Sequence, residues 1–151
     1  MERLEINWAN PTNFVGLDKY KKLRELEMYY CTKISTFEGL TEISNNLSLL
    51  SIFNVKKIND FSPISFFKNV ETLRICECGD IDSLDFILDM PKLREISFVN
   101  SNIIDGDMTP LLKHSPKLEF VGFNNKRHYS HLWEDVCRQL NLNDWLKYSI
   151  H

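Results

Sequence analysis

Leu23-Arg24-Glu25-Leu26-Glu27-Met28 recurs as Leu47-Ser48-Leu49-Leu50-Ser51-Ile52, then as Val70-Glu71-Thr72-Leu73-Arg74-Ile75 and Leu93-Arg94-Glu95-Ile96-Ser97-Phe98. A last copy reads Leu118-Glu119-Phe120-Val121-Gly122-Phe123. The copies start 24, 23, 23 and 25 residues apart. A near-fixed period of this length is the signature of stacked supersecondary units. Within each copy two apolar residues stand two apart, which is strand spacing. The pairs are Leu26/Met28, Leu50/Ile52, Leu73/Ile75, Ile96/Phe98 and Val121/Phe123. One period upstream lies Leu4/Ile6, so about six short parallel strands are predicted. A chain of this kind displays a surface, and a partner is the first thing to look for.

Further apolar ladders run in phase behind the strands. They are Ile34, Ile58, Ile81 and Ile104; Phe37, Phe61 and Leu84; and Leu40, Ile64 and Ile87. All are expected in one continuous core. Asp105-Gly106-Asp107 interrupts the fourth unit with a turn, and Met108 to His114 is expected to form a short helix with Pro110 near its start. The pattern ends near Asn124. From Ser130 to Tyr148, Leu132, Trp133, Val136, Cys137 and Leu140 fall at helical spacing, with Ser130 as the expected N-cap. A break at Asn141 to Asn143 should precede a second turn with Trp145 and Leu146. The chain is therefore read as one domain over 1–151: an irregular first unit at 1–22, repeats over 23–125 and a helical cap over 126–151 that covers the open end of the stack.

Composition narrows the function. The 151 residues are 43% hydrophobic and 26% charged, which is ordinary globular usage, with a net charge of −3. That charge and a pI near 5.8 argue against direct nucleic-acid binding by phosphate neutralisation and favour a basic partner. No apolar run spans a membrane, and Met1-Glu2-Arg3-Leu4-Glu5-Ile6-Asn7-Trp8 lacks the pattern of a signal peptide. A cytoplasmic chain with four reduced cysteines, Cys31, Cys76, Cys78 and Cys137, is expected.

Motifs for chemistry are weak. His128-Tyr129-Ser130-His131 pairs two histidines without enough companions for a metal site. Phosphate-cradling glycine loops and hydrolase motifs do not occur, Cys137 is expected to pack on the apolar face of the cap helix, and Cys76 has no neighbouring histidine to activate it. No enzyme, cofactor or metal is expected. Glu77, Asp80, Asp82, Asp85 and Asp89 make the densest charge cluster, either a solvated face or a rim that steers a basic partner.

Side chains alternate along a strand, so the outward residues follow by counting from the ladder. They are Arg3, Glu5 and Asn7; Glu25, Glu27 and Tyr29; Leu49, Ser51 and Phe53; Thr72, Arg74 and Cys76; Glu95, Ser97 and Val99; and Phe120, Gly122 and Asn124. Tyr29, Phe53, Cys76 and Val99 should line up across the strands, with Glu25, Glu27, Arg74 and Glu95 beside them. Apolar and aromatic residues rimmed by charge mark protein-binding surfaces. Strands about 4.8 Å apart give this face about 24 Å by about 13 Å, roughly 310 Å². A standard interface takes about 800 Å² per partner, so a loop edge near Tyr30, Asn54, Glu77 and Asn100, or the segment Lys126 to Tyr129, should contribute too.

The five copies, with Ile58-Asn59-Asp60-Phe61-Ser62-Pro63-Ile64, which is close to Ile-x-Asp-Ile-x-Pro-Leu, resemble the leucine-rich repeats of the bacterial internalin-like class over roughly residues 1–125. The slot three residues past each strand pair, Cys31, Val55, Cys78 and Ser101, corresponds to the template's inward Asn or Cys. The resemblance implies an α/β solenoid with the strands on a concave face, short helical segments on the convex side and a helical cap. Among small acidic proteins of this type it implies an immunity protein, monomeric until it binds a cognate bacterial toxin, such as a nuclease with a basic surface. A scaffold or substrate-recruiting adaptor is the other reading. The expected partner-binding residues are Glu5, Glu25, Glu27, Tyr29, Phe53, Arg74, Cys76, Glu77, Glu95, Val99, Phe120 and Asn124.

Overall fold

The computed structural model describes residues 2–142. Its strands are β1 (Arg3–Asn7), β2 (Glu25–Tyr29), β3 (Leu49–Phe53), β4 (Thr72–Cys76), β5 (Gly79–Ile81), β6 (Glu95–Ser97), β7 (Ser101–Ile103) and β8 (Phe120–Gly122). Two short helices, α1 (Thr109–Lys113) and α2 (Trp133–Gln139), complete a mixed α/β fold. Six strands form one sheet in the order β1-β2-β3-β4-β6-β8, and every pairing is parallel. Among the described residues no helix is long and apolar enough to cross a membrane.

The register joins like positions. Leu26 pairs with Leu50, Leu50 with Leu73, Leu73 with Ile96 and Ile96 with Val121. Met28, Ile52 and Ile75 make a second row. Both rows are buried, as are Phe98 and Phe123, whose rings stack 5.0 Å apart. Removing each such side chain from water contributes about 1.5–3 kcal/mol, and a one-residue slip would turn a whole row outward.

Where β1 to β4 end, the chain enters the left-handed region. Trp8, Tyr30, Asn54 and Glu77 have φ of 54°, 58°, 55° and 53°. Their N–H groups donate to the carbonyls of Tyr29, Phe53, Cys76 and Val99, so the ladder of hydrogen bonds runs one residue past the strands. The reversal, repeated after β6 at Asn100 with φ of 61°, turns Cys31, Val55, Cys78 and Ser101 into the interior. Cys78 Sγ lies 3.2 Å from the Cys76 carbonyl, and Ser101 Oγ donates to the Ile75 carbonyl at 2.7 Å. The inward slot thus satisfies backbone groups that the turns leave buried. Beyond it the return path uses 3-10 turns at Thr41–Ile43, Ser62–Phe66 and Asp85–Asp89.

Several expectations change. Strands β5 and β7 form a second, two-stranded parallel sheet that the apolar pattern did not announce. Their register sets Ile103 opposite Ile81, so Ile103 fills the ladder and Ile104 is 51% exposed. Ser130 does not cap the last helix. Its hydroxyl accepts the Met108 N–H at 2.9 Å, and α2 starts at Trp133 after an extended Leu132. Leu132 is therefore exposed, whereas Trp133, Val136, Cys137 and Leu140 are buried. The expected turn with Trp145 and Leu146 lies outside the described residues.

Candidate partner-binding surface

The sheet face opposite the core carries three rows. The first reads Arg3, Glu25, Leu49, Thr72, Glu95 and Phe120 in register. The second reads Glu5, Glu27, Ser51, Arg74, Ser97 and Gly122. The third reads Asn7, Tyr29, Phe53 and Cys76. Nine of the twelve expected residues thus share one face: Glu5, Glu25, Glu27, Tyr29, Phe53, Arg74, Cys76, Glu95 and Phe120. Glu77 sits at the left-handed turn after β4. Asn124 lies past β8, where its Oδ1 accepts the Asn100 N–H at 2.7 Å.

One residue departs from the expectation. Strand β6 stops at Ser97, yet the Glu77 N–H donates to the Val99 carbonyl at 3.0 Å, as the Asn54 N–H does to Cys76, so Val99 continues the third row one step past the strand. Glu27 is not an exposed rim charge, since it retains 8% of its surface. Arg3 Nη2 reaches its Oε2 at 2.6 Å, and Arg74 Nη1 lies 3.9 Å from its Oε1. Guanidiniums from the adjacent β1 and from β4, two strands away, enclose this carboxylate, which keeps its charge paired as it leaves water. Glu5, Glu25 and Glu95 remain as the accessible carboxylates of the face.

The aromatic row extends further than the sequence indicated. Tyr29 and Phe53 have ring centroids 5.9 Å apart. Tyr30 meets Phe53 edge-on at 5.4 Å and stacks on Trp8 at 4.2 Å with planes 5° apart. Trp8 is 71% exposed and was not among the expected residues. Its signal was the phase itself: Asn7 pairs with Tyr29, so the next residues, Trp8 and Tyr30, are neighbours. The Tyr29 phenol is pushed above its usual value by burial first and by the Glu27 and Glu5 carboxylates next. Near the other edge Phe120 separates two shallow hollows. One, of about 420 Å³, is lined by Thr72, Arg74, Glu95 and Ser97; the other, of about 220 Å³, by Val99, Gly122, Phe123 and Trp133.

The acid cluster does not gather as one group. Asp80 accepts the Asn102 amide at 3.0 Å on β5, while Asp82, Asp85 and Asp89 line a separate hollow with Asp60. Among the described residues no group of three His, Cys, Asp or Glu side chains could hold a metal ion. His128 Nε2 lies 2.9 Å from the Ile103 carbonyl, and His131 Nδ1 lies 2.7 Å from Ser130 Oγ, so the two histidines have different partners.

Burial pushes the thiols of Cys78 and Cys137 up to about 12 and about 11, which keeps them protonated near neutral pH. Cys76, half-buried on the open face, should therefore react with iodoacetamide before Cys31, Cys78 and Cys137. Peptide mass spectrometry of briefly labelled native protein checks this order. The raised Cys78 value also fixes a sign. The unfolded thiol loses its proton near 9.0, before the folded one, so stability should fall as pH rises from 9.0 toward about 12. Denaturant melts at stepped pH, with Cys78→Ala as reference, measure that slope.

No protein family matches the chain, and no curated protein matches it.

Proposed function

We propose that the chain is a leucine-rich repeat solenoid of the internalin-like class and acts without catalysis as a cytoplasmic immunity protein. In this reading the sheet face is the concave surface. It binds and neutralises a cognate bacterial toxin with a basic surface, such as a nuclease, and it does so as a monomer that touches no nucleic acid itself. The observation that carries the reading is one face that bears the carboxylates Glu5, Glu25 and Glu95 together with the rings of Tyr29 and Phe53. Rings supply buried contact area, and accessible carboxylates speed encounter with a positive partner.

The test is calorimetric titration of the chain with the purified product of the adjacent gene. A one-to-one complex is expected, with affinity that falls as salt rises from low to physiological strength. No heat of binding, or an affinity indifferent to salt, would count against the reading. A scaffold or adaptor role has its own support in Phe66 and Leu88, which are exposed on the 3-10 turns Ser62–Phe66 and Asp85–Asp89. Simultaneous binding of two proteins would favour that role.

A further inference from the structure

Trp8 and Tyr30 occupy backbone positions that suit other residues. Both have left-handed φ, at 54° and 58°. At the corresponding turns the chain uses Asn54 after β3, Glu77 after β4 and Asn100 after β6, with φ of 55°, 53° and 61°. Asn tolerates this region, whereas bulky side chains strain it. The turns after β1 and β2 instead carry two large rings in parallel contact, the outer one 71% exposed. Backbone strain held in this way is found at ligand clamps.

The setting of the rings defines what they would take. Tyr30 covers one face of Trp8 and leaves the other open. Tyr29 and Phe53 continue the aromatic surface onto the sheet. Glu5 stands beside them, its Oε1 accepting the Asn7 amide at 2.7 Å and its Oε2 3.4 Å from Arg3. The Glu5 charge is felt at the Tyr29 phenol, so the aromatic surface lies in a negative setting, and an open indole face there suits a planar cation. Guanidinium stacks on Trp and Tyr and still donates in its plane to a carboxylate, which an ammonium does less well.

We propose that Trp8, backed by Tyr30 and bordered by Tyr29, Phe53 and Glu5, is a platform for an arginine side chain of a basic protein partner. This inference rests on the protein-binding reading and names the chemistry of its anchor. The guanidinium lies on the open face of Trp8, and the Glu5 charge nearby on the same face favours its cation. The chain's net charge of −3 favours approach of such a segment.

The test uses the full chain, labelled with ¹⁵N and titrated with acetyl-triarginine amide or its tricitrulline counterpart. Citrulline keeps the shape of arginine and removes the charge. Triarginine should shift the Trp8 indole N–H and the amides of Tyr29, Tyr30 and Phe53 saturably. It should bind about threefold to fivefold tighter than tricitrulline. Trp8→Asn, which fits the left-handed turn, should stay folded and lose that difference; Trp8→Ala should do the same. Equal affinity for the two peptides, shifts confined to the stretch 80–89, an unchanged preference in Trp8→Asn, or a dimer that buries Trp8 would each overturn the proposal. The two readings fail separately. Triarginine bound at Trp8 by a chain that binds no adjacent-gene product would remove the immunity function and leave the platform. A protein complex indifferent to Trp8→Asn would do the reverse.

Discussion

Replacing Tyr29 and Phe53 together by lysine is expected to weaken partner binding by on the order of a hundredfold, with the chain still folded. Both rings belong to the outward row and are half-buried, while the core rows at Leu26, Met28, Leu50 and Ile52 lie on the other face. The substitution removes two of the three aromatic rings in the outward rows and breaks the ring contacts at 5.9 Å and 5.4 Å. It also places positive charge where a basic partner would dock. The matching double glutamate variant removes the same rings but keeps the attraction, so it should bind more tightly than the lysine variant. That ordering separates a basic partner from an acidic one. Far-UV circular dichroism and a thermal melt check that both variants keep the sheet.

The second large effect concerns stability. Gly106→Ala should destabilise the protein by about 3 kcal/mol, a fall in Tm of roughly 6–12 °C. Gly106 has φ of 67°, and its carbonyl accepts the Ser130 N–H at 2.8 Å. A β-carbon here would press into the His128 carbonyl, a backbone atom that cannot swing aside. The segment around His128 is held by other bonds to the same turn. Ile103 N–H donates to the Tyr129 hydroxyl at 3.1 Å, and Met108 N–H donates to Ser130 Oγ at 2.9 Å. Pushing this segment away would unseat Tyr129 from Phe123 and loosen α2 behind it. Differential scanning calorimetry gives the shift. An unchanged Tm would mean that the latch around residue 106 does not hold the C-terminal end.

The main sheet was legible because apolar residues at fixed phase leave only one register that buries them all. Leu26, Leu50, Leu73 and Ile96 could be paired by counting, and the sheet pairs them so. Strands β5 and β7 were not legible. Gly79-Asp80-Ile81 and Ser101-Asn102-Ile103 are short and polar, and only their mutual pairing makes them strands. The start of α2 was misread because Ser130 looks like a cap locally, yet a distant group, Met108 N–H, takes its hydroxyl. Alternation along one strand also could not show that Glu27 is enclosed, because the groups that enclose it come from other strands, Arg3 from the adjacent β1 and Arg74 from β4, beyond β3. Trp8 escaped notice because the loop-edge positions Tyr30, Asn54, Glu77 and Asn100 were counted in the regular units only, and the same position in the irregular first unit was left out.

The central claim is that the aromatic and acidic sheet face is where a basic protein binds. Its most direct measurement is a calorimetric titration of the adjacent-gene product into the parent chain and into the Tyr29→Lys, Phe53→Lys variant at one fixed salt concentration. The account predicts a one-to-one complex with the parent and an affinity lower by on the order of a hundredfold in the variant. Equal affinity of the two chains would contradict it.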